Sequence, residues 1–288
     1  MSGPSTRVAG VIGWPVAHSL SPAIHNAAFR AAQIDWSYVA FAVRPGLAAD
    51  ALGTMRTLGL GGLSVTMPHK EDVADAVDEL APAAAALRSV NTVVVGDDGR
   101  LIGHSTDGDG FVASLRAHGV DVRGRSFVVL GAGGAGRSVV DALARAGAGE
   151  VSVVNRSAER ARAAAALAGP VGAVVAAGDV ADALTAADVV VNATSLGMGA
   201  VPAEGGPLPC DPSLLGPGHV VVDLVYHPLE TPWSSAARRA GALVVDGLSM
   251  LVHQAVLQQE LWTGRRPDPT IMREAALREL SRRSGRPV

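Results

Sequence analysis

Phe127-Val128-Val129-Leu130-Gly131-Ala132-Gly133-Gly134-Ala135-Gly136 decides the fold. A short apolar run with strand character passes straight into Gly131, Gly133 and Gly136, spaced as in the dinucleotide-binding fingerprint, and a helical pattern follows. The first of these glycines permits the tight turn, the second lets backbone approach a pyrophosphate, and the third lets helix and strand pack closely. Amides at the start of the following helix then face the phosphates. The stretch therefore predicts a strand, a turn and a helix N-terminus in which Gly131, Ala132, Gly133, Gly134, Ala135 and Gly136 line a dinucleotide.

The next strand, Val151 to Val154, ends in Asn155-Arg156-Ser157. A site for NAD usually carries a carboxylate here for the ribose hydroxyls, and none is present. Arg156 can instead stack on adenine and pair with a 2′-phosphate, assisted by Asn155 and Ser157, which favours NADP(H). Further strand patterns at Val174-Val175, Val189 to Asn192 and Val220 to Leu224 alternate with helical stretches, giving a doubly wound sheet over roughly residues 108 to 246.

The first third has the same rhythm. Runs at Val8 to Gly13, Ser37 to Val43 and Gly62 to Thr66 alternate with amphipathic segments at Ser21 to Gln33, Leu47 to Gly59 and Glu71 to Leu80, which predicts a second, mostly parallel sheet. Ser21-Pro22 reads as an N-cap followed by proline at the first helical position. Asn91 to Val95 and Leu101 to Gly103, separated by Asp97-Asp98-Gly99, read as a hairpin, and a helix starts near Asp107 and runs to Gly119. Leu248 to Trp262 is a helix, Arg265 to Pro269 a stop, and a short helix closes the chain. Gly199 to Gly218, rich in Pro and Gly, reads as a surface loop. The fold class is thus α/β with two domains.

Composition bounds the function. At 288 residues and 48% hydrophobic the chain can bury two ordinary cores. No long apolar run escapes Gly, Pro or charge, and Met1 to Arg7 lacks a signal-peptide layout, so a cytoplasmic protein is expected. Cys210 is the lone cysteine and no Cys/His cluster is present, so neither an internal disulfide nor a metal site is expected. The histidines show no paired spacing, and His18 and His69 read as polar loop residues. A net charge of −3 with dispersed arginines gives no nucleic-acid footprint. The expected partner is a small molecule, and the expected assembly a monomer or homodimer.

Lys70 is the only lysine among 24 Lys+Arg. An ammonium can donate its proton to a developing alkoxide, whereas a guanidinium stays charged. Lys70 closes Ser64-Val65-Thr66-Met67-Pro68-His69-Lys70, a strand ending in a hydroxyl and a proline turn, a place where α/β enzymes set reacting groups.

Ser19-Leu20-Ser21-Pro22, the Ser64 to Lys70 segment, Val90-Asn91-Thr92, Ser105-Thr106-Asp107-Gly108, the glycine loop, Asn155-Arg156-Ser157, Asn192 to Met198, and Gly247 to Gln254 occur in the order seen in shikimate dehydrogenases. The resemblance spans nearly the whole chain. It implies a two-domain enzyme that reduces 3-dehydroshikimate to shikimate with NADPH, its substrate in the cleft between domains. It also implies that residues 1–107 and 248–288 form the substrate domain and 108–247 the NADP-binding domain.

By the same resemblance, Ser19 and Ser21 bind the substrate carboxylate, Thr66 and Asn91 the ring hydroxyls, and Lys70 and Asp107 form the catalytic couple. Asp109 is the alternative carboxylate. Tyr226, in Asp223-Leu224-Val225-Tyr226-His227-Pro228, reaches the substrate from the cofactor side. Met250 and Gln254 share one helix face, so Met250 can cover the nicotinamide while Gln254 reaches the substrate. Thr194, Leu196 and Met198 form a floor near the nicotinamide, and Gly247 belongs to the same cofactor site. Two positions depart from the family, Ser64 and Ser105, where Asn is usual; each removes amide hydrogen bonds beside the ring. Quinate or an aminoshikimate is therefore the alternative substrate, and a non-catalytic NADP-binding paralogue the alternative of another class.

Overall fold

The structure, a computed structural model, describes residues 5–199 and 206–284. The chain divides into two compact units: one comprises the chain up to Thr106 together with the chain from Val252 onward, the other Asp107–Leu251.

The first unit begins β1 (Arg7–Gly13), α1 (Ser21–Ala31), β2 (Trp36–Ala42), α2 (Ala48–Leu58), β3 (Gly62–Val65), α3 (Lys70–Ala76), β4 (Glu79–Leu80), α4 (Pro82–Leu87), β5 (Thr92–Val95) and β6 (Leu101–His104). The second holds α5 (Asp107–Ala117), β7 (Ser126–Leu130), α6 (Gly134–Arg145), β8 (Glu150–Val154), α7 (Ala158–Ala165), β9 (Gly172–Val174), α8 (Val180–Ala186), β10 (Val189–Asn192), β11 (Val220–Asp223), α9 (Pro232–Arg239) and β12 (Leu243–Asp246). The long helix α10 (Gly247–Thr263) starts in the second unit and ends in the first, which α11 (Pro269–Ser284) completes.

Strands of the second unit lie in the order β12-β11-β10-β7-β8-β9, every pairing parallel. Helices cover both faces of such a sheet, so its strands read as unbroken valine runs. Val129, Val191 and Val222 face one core with Phe127, Phe111 and Leu143, while Val128, Val190 and Val221 face the other with Trp233 and Leu184. The chain reverses its strand order between β7 and β10, and ligands of open α/β sheets bind at the carboxyl ends beside that reversal.

The first unit's sheet runs β2-β1-β3-β5-β6-β4, parallel except for β5, which lies antiparallel to both β3 and β6. Alternation on β1 sends Ile12 toward Leu52, Met55 and Val65, and Ala9 and Val11 toward Phe29, Tyr38 and Trp262. With few aromatics in the chain, one large ring needs room made for it. A Cβ on Gly62 would lie 2.3 Å from the Trp262 Nε1, which donates to the Val93 carbonyl at 3.1 Å.

Several local expectations are corrected. Glu71 to Leu80 is not one amphipathic helix. The helix stops at Ala76, because Asp78 accepts the Leu101 N–H at 2.7 Å and draws Glu79–Leu80 alongside β6. Ser21 is not the cap of α1 but its first residue; Leu20 holds the cap position without a side-chain bond, and Ser19 Oγ, one residue earlier, accepts the Ser21 N–H at 3.2 Å. The strand β12 was not read, since Leu243–Asp246 is a short run lying directly against the glycine that opens α10. The last helix is 16 residues long, not short, and Glu–Arg pairs one turn apart run along it, such as Glu274 with Arg278 and Glu279 with Arg283. Of the Gly199 to Gly218 loop, residues 200–205 lie outside the described residues, as do residues 1–4 at the N-terminus.

Candidate active site

In the first unit the carboxyl ends of β1 and β3 carry the loops with Ser19, Ser21, Thr66 and Lys70. Thr66 N–H donates to the Ile12 carbonyl at 3.0 Å, and a Cβ on Gly13 would fall 2.4 Å from the Thr66 methyl, so glycine there lets Thr66 close over β1. Lys70 is half-buried and opens α3, and its carbonyl accepts the Val90 N–H at 2.9 Å. That bond sets the lysine's backbone beside the segment entering Asn91. His69, read as a polar loop residue, is fully buried, its Nε2 2.8 Å from the Val43 carbonyl; this corrects the expectation.

Asn91 is a hub. Its Oδ1 accepts from Thr92 Oγ1 and from Thr106 N–H, each at 2.8 Å, while its Nδ2 donates to Thr106 Oγ1 at 2.9 Å and reaches Gln254 Oε1 at 3.5 Å. An amide with both ends bonded cannot rotate cheaply, so the Asn91 carboxamide is held in one orientation.

Beneath lies a polar layer that the sequence reading missed. Tyr38 donates to Ser64 Oγ at 2.7 Å, Ser64 donates to Gln258 Oε1 at 2.8 Å, and Gln258 Nε2 reaches the Asn91 carbonyl at 3.3 Å. His25 stacks on Tyr38 with ring centroids 4.4 Å apart and sits 3.3 Å from the side chains of both Gln258 and Gln259. Burial lowers the His25 pKa to about 4 and pushes the Tyr38 phenol upward. The signal was available in Gln258-Gln259, a polar pair one turn beyond Gln254 that follows the apolar run Ala255-Val256-Leu257. Ser64, one of the two departures, thus has an amide partner supplied from α10.

The second unit begins with Asp107 in the first turn of α5. The alternative carboxylate, Asp109, is committed elsewhere: Arg145 Nη1 lies 2.8 Å from it and Nε 2.9 Å from Asp141.

At the glycine loop, Gly131 has φ +107°, and its carbonyl would lie 2.1 Å from a Cβ on Gly136. Those two glycines are demanded by the fold. Around Gly133 and Gly134, by contrast, a Cβ would meet nothing within 4 Å, and α6 starts there without a side-chain cap. Open space above uncapped helix amides is what a pyrophosphate requires, so the cradle fits a dinucleotide. Asn155 Oδ1 accepts the Ala132 N–H at 3.2 Å and its Nδ2 donates to the Ser157 carbonyl at 3.0 Å, tying the two phosphate-side loops together. Ser157 caps α7 by accepting the Arg160 N–H. Arg156 between them is exposed.

Where β10 and β11 end, Asn192 and Asp223 form a buried brace. Asn192 Nδ2 donates to Asp223 Oδ1 at 2.9 Å and its Oδ1 accepts from Thr194 Oγ1 at 2.6 Å; Asp223 also accepts from Thr231 Oγ1 at 2.6 Å and from Val225 N–H at 3.2 Å. Burial raises the Asp223 pKa, against the pull of those hydrogen bonds. The brace positions Thr194 and Leu196 on one side and the Val225-Tyr226 turn on the other. Met198 is exposed, Tyr226 half-buried, and Met250 is packed into this unit's core. A Cβ on Gly247 would meet the Leu224 carbonyl at 2.4 Å, so α10 can start against that turn only with glycine.

A parallel doubly wound sheet with this cradle at its switch point defines a Rossmann-type dinucleotide-binding protein. Family models match in three segments: the shikimate dehydrogenase substrate binding domain over residues 11–93, shikimate / quinate 5-dehydrogenase over 114–201, and the shikimate 5'-dehydrogenase C-terminal domain over 247–277. The chain belongs to the shikimate dehydrogenase family. The shikimate dehydrogenase (NADP(+)) of Moorella thermoacetica is 45% identical, the alignment covering 99% of this chain and 97% of that one. A crystal structure of a shikimate dehydrogenase in complex with NADP+ superposes with a TM-score of 0.88 at 33% identity, covering 97% of each chain. The enzyme from Thermus thermophilus in complex with NADP(H) and shikimate gives 0.85 at 38% identity, over 94% of this chain and 99% of that one. Among the described residues no helix is long and apolar enough to cross a membrane.

Proposed function

We propose that this chain is an NADP-dependent shikimate dehydrogenase, interconverting 3-dehydroshikimate and shikimate. The observation that carries the reading is likeness along the whole chain to enzymes of that activity, joined to a phosphate cradle followed by an arginine in place of a carboxylate.

Residues up to 107 and from 248 onward form the substrate domain, and residues 108–247 the cofactor domain. Ser19 and Ser21 donate to the substrate carboxylate at the positive end of α1. Thr66, Asn91 and Gln254 hydrogen-bond the ring hydroxyls, and the fixed Asn91 amide selects their orientation. Tyr226 contacts the ring from the side of Thr194, Leu196, Met198, Gly247 and Met250, which take the nicotinamide. The backbone of Gly131 to Gly136 holds the pyrophosphate, and Arg156, flanked by Asn155 and Ser157, takes the 2′-phosphate. NADPH supplies the hydride when bound.

As the carbonyl is reduced, negative charge grows on its oxygen. Lys70 stabilises that charge and, with Asp107, moves the proton there. In the reverse direction the couple removes the hydroxyl proton. A single chain carries every residue given a role, so monomer and homodimer serve equally. Use of NADPH, held reduced inside cells, supports a cytoplasmic place of work.

The test is a spectrophotometric assay of NADP+ and NAD+ reduction with shikimate, quinate and aminoshikimate. Shikimate with NADP+ is expected to give the highest kcat/KM. Preference for quinate or aminoshikimate would move the assignment to the alternative substrate, and no turnover with any of them would defeat it.

A further inference from the structure

The last helix reaches the loop to which carboxylate binding is assigned. Arg283 Nη1 donates to the His18 carbonyl at 2.6 Å and Nη2 to the Ser19 carbonyl at 3.0 Å, while its Nε sits 2.7 Å from Glu279 Oε1, so all three guanidinium nitrogens are bonded. Those carbonyls belong to residues 264 and more positions away in the chain. They immediately precede α1 and carry no strand pairing.

Three consequences follow from peptide and charge geometry. In a trans peptide the C=O and the next N–H point opposite ways, so pinning the Ser19 carbonyl also fixes the direction of the Leu20 N–H. Pinning the His18 carbonyl likewise holds the Ser19 N–H on its partner, the Val16 carbonyl, at 3.0 Å. Two carbonyl oxygens of the loop are covered by a cation that stays charged at any working pH. The planar fork matters, because one guanidinium spans both oxygens where an ammonium would present a point charge. Arg282 offers a built-in comparison: it bonds Glu279 at 2.8 Å by both Nε and Nη2.

We propose that Arg283 is a positioning residue for substrate binding, locking the Ser19-Leu20-Ser21 loop in the geometry that receives a carboxylate. The inference rests on the assignment of Ser19 and Ser21 to that group and deepens it: this site takes a monoanionic ring carboxylate, and its shape is set by the C-terminal helix.

Steady-state kinetics on the full chain test it. Arg283→Met, which keeps the aliphatic stem, is expected to raise KM for shikimate by about tenfold, as for loss of one charge-assisted contact, with kcat and KM for NADP+ unchanged. Arg283→Lys falls between, and Arg282→Met matches wild type. With the methyl ester of shikimate, whose carboxylate charge is gone, wild type and Arg283→Met show the same KM. An unchanged KM for shikimate, an equal rise for NADP+, or an equal rise for the ester would overturn the inference while leaving the enzyme assignment standing. If Arg283→Met does not fold, a wild-type KM in Arg283→Lys overturns it equally. A wild type inert toward every ring carboxylate would remove the functional reading and this inference together.

Discussion

At the residue scale, the chemistry turns on which side chains remain available once the fold has used the others. Asn155 and Ser157 are spent on loop and cap bonds, and Asp109 on Arg145, whereas Arg156 is exposed and is the cation assigned to the 2′-phosphate. Arg156→Ala is therefore expected to weaken NADP+ binding by about 10- to 100-fold, the worth of a charge-assisted phosphate contact, and NAD+ binding far less, since only the adenine stacking is shared. Titration calorimetry with both cofactors checks this, and equal losses for the two would refute it. The sequence exposed Arg156 directly, because a missing carboxylate after the second strand is visible without coordinates. It could not show that α1 starts at Ser21 with Leu20, not a serine, in the cap position, since two serines flanking one leucine offer both registers and only the path of the loop chooses.

At the scale of elements, the glycine loop separates what folding requires from what binding requires. Gly136→Ala places a methyl 2.1 Å from the Gly131 carbonyl, and backbone cannot yield cheaply there; a loss of about 2 kcal/mol or more is expected in denaturant melts. Gly133→Ala meets nothing, at an extended φ of −80° that any residue adopts, so the fold should keep its stability while the new methyl occupies the room for phosphate and NADP+ affinity falls. A Gly133→Ala protein that binds NADP+ normally would mean the cradle is not used. Legibility followed the same division. Strands of the parallel sheet were readable as valine runs, and the helix after the loop from its glycines. The boundary at Ala76, the strand β12 and the length of α11 were not, because each is fixed by partners far along the chain: Leu101 for Asp78, β11 for β12, and α1 with its loop for α11.

At the scale of the whole molecule, stability is tied to the buried layer that carries His25. Its folded pKa of about 4 lies below the ordinary imidazole value of 6.5, so between those values the unfolded chain binds the extra proton. Folding stability should therefore be fully present above about pH 6.5 and fall as pH drops toward 4, by a term on the order of 3 kcal/mol. Thermal melts across that window are expected to show a shallower decline in His25→Phe than in wild type; parallel declines would assign acid sensitivity elsewhere. The account as a whole depends on a lone lysine and one aspartate moving a proton while NADP takes or gives the hydride. Initial rates of shikimate-dependent NADP+ reduction, measured on wild type, Lys70→Met and Asp107→Asn with their melting temperatures, test that most directly. Turnover in the wild type, with kcat cut about 100-fold or more in both variants at unchanged melting temperature, is the predicted result; no shikimate-dependent NADPH from the wild type, or wild-type turnover in either variant, would contradict it.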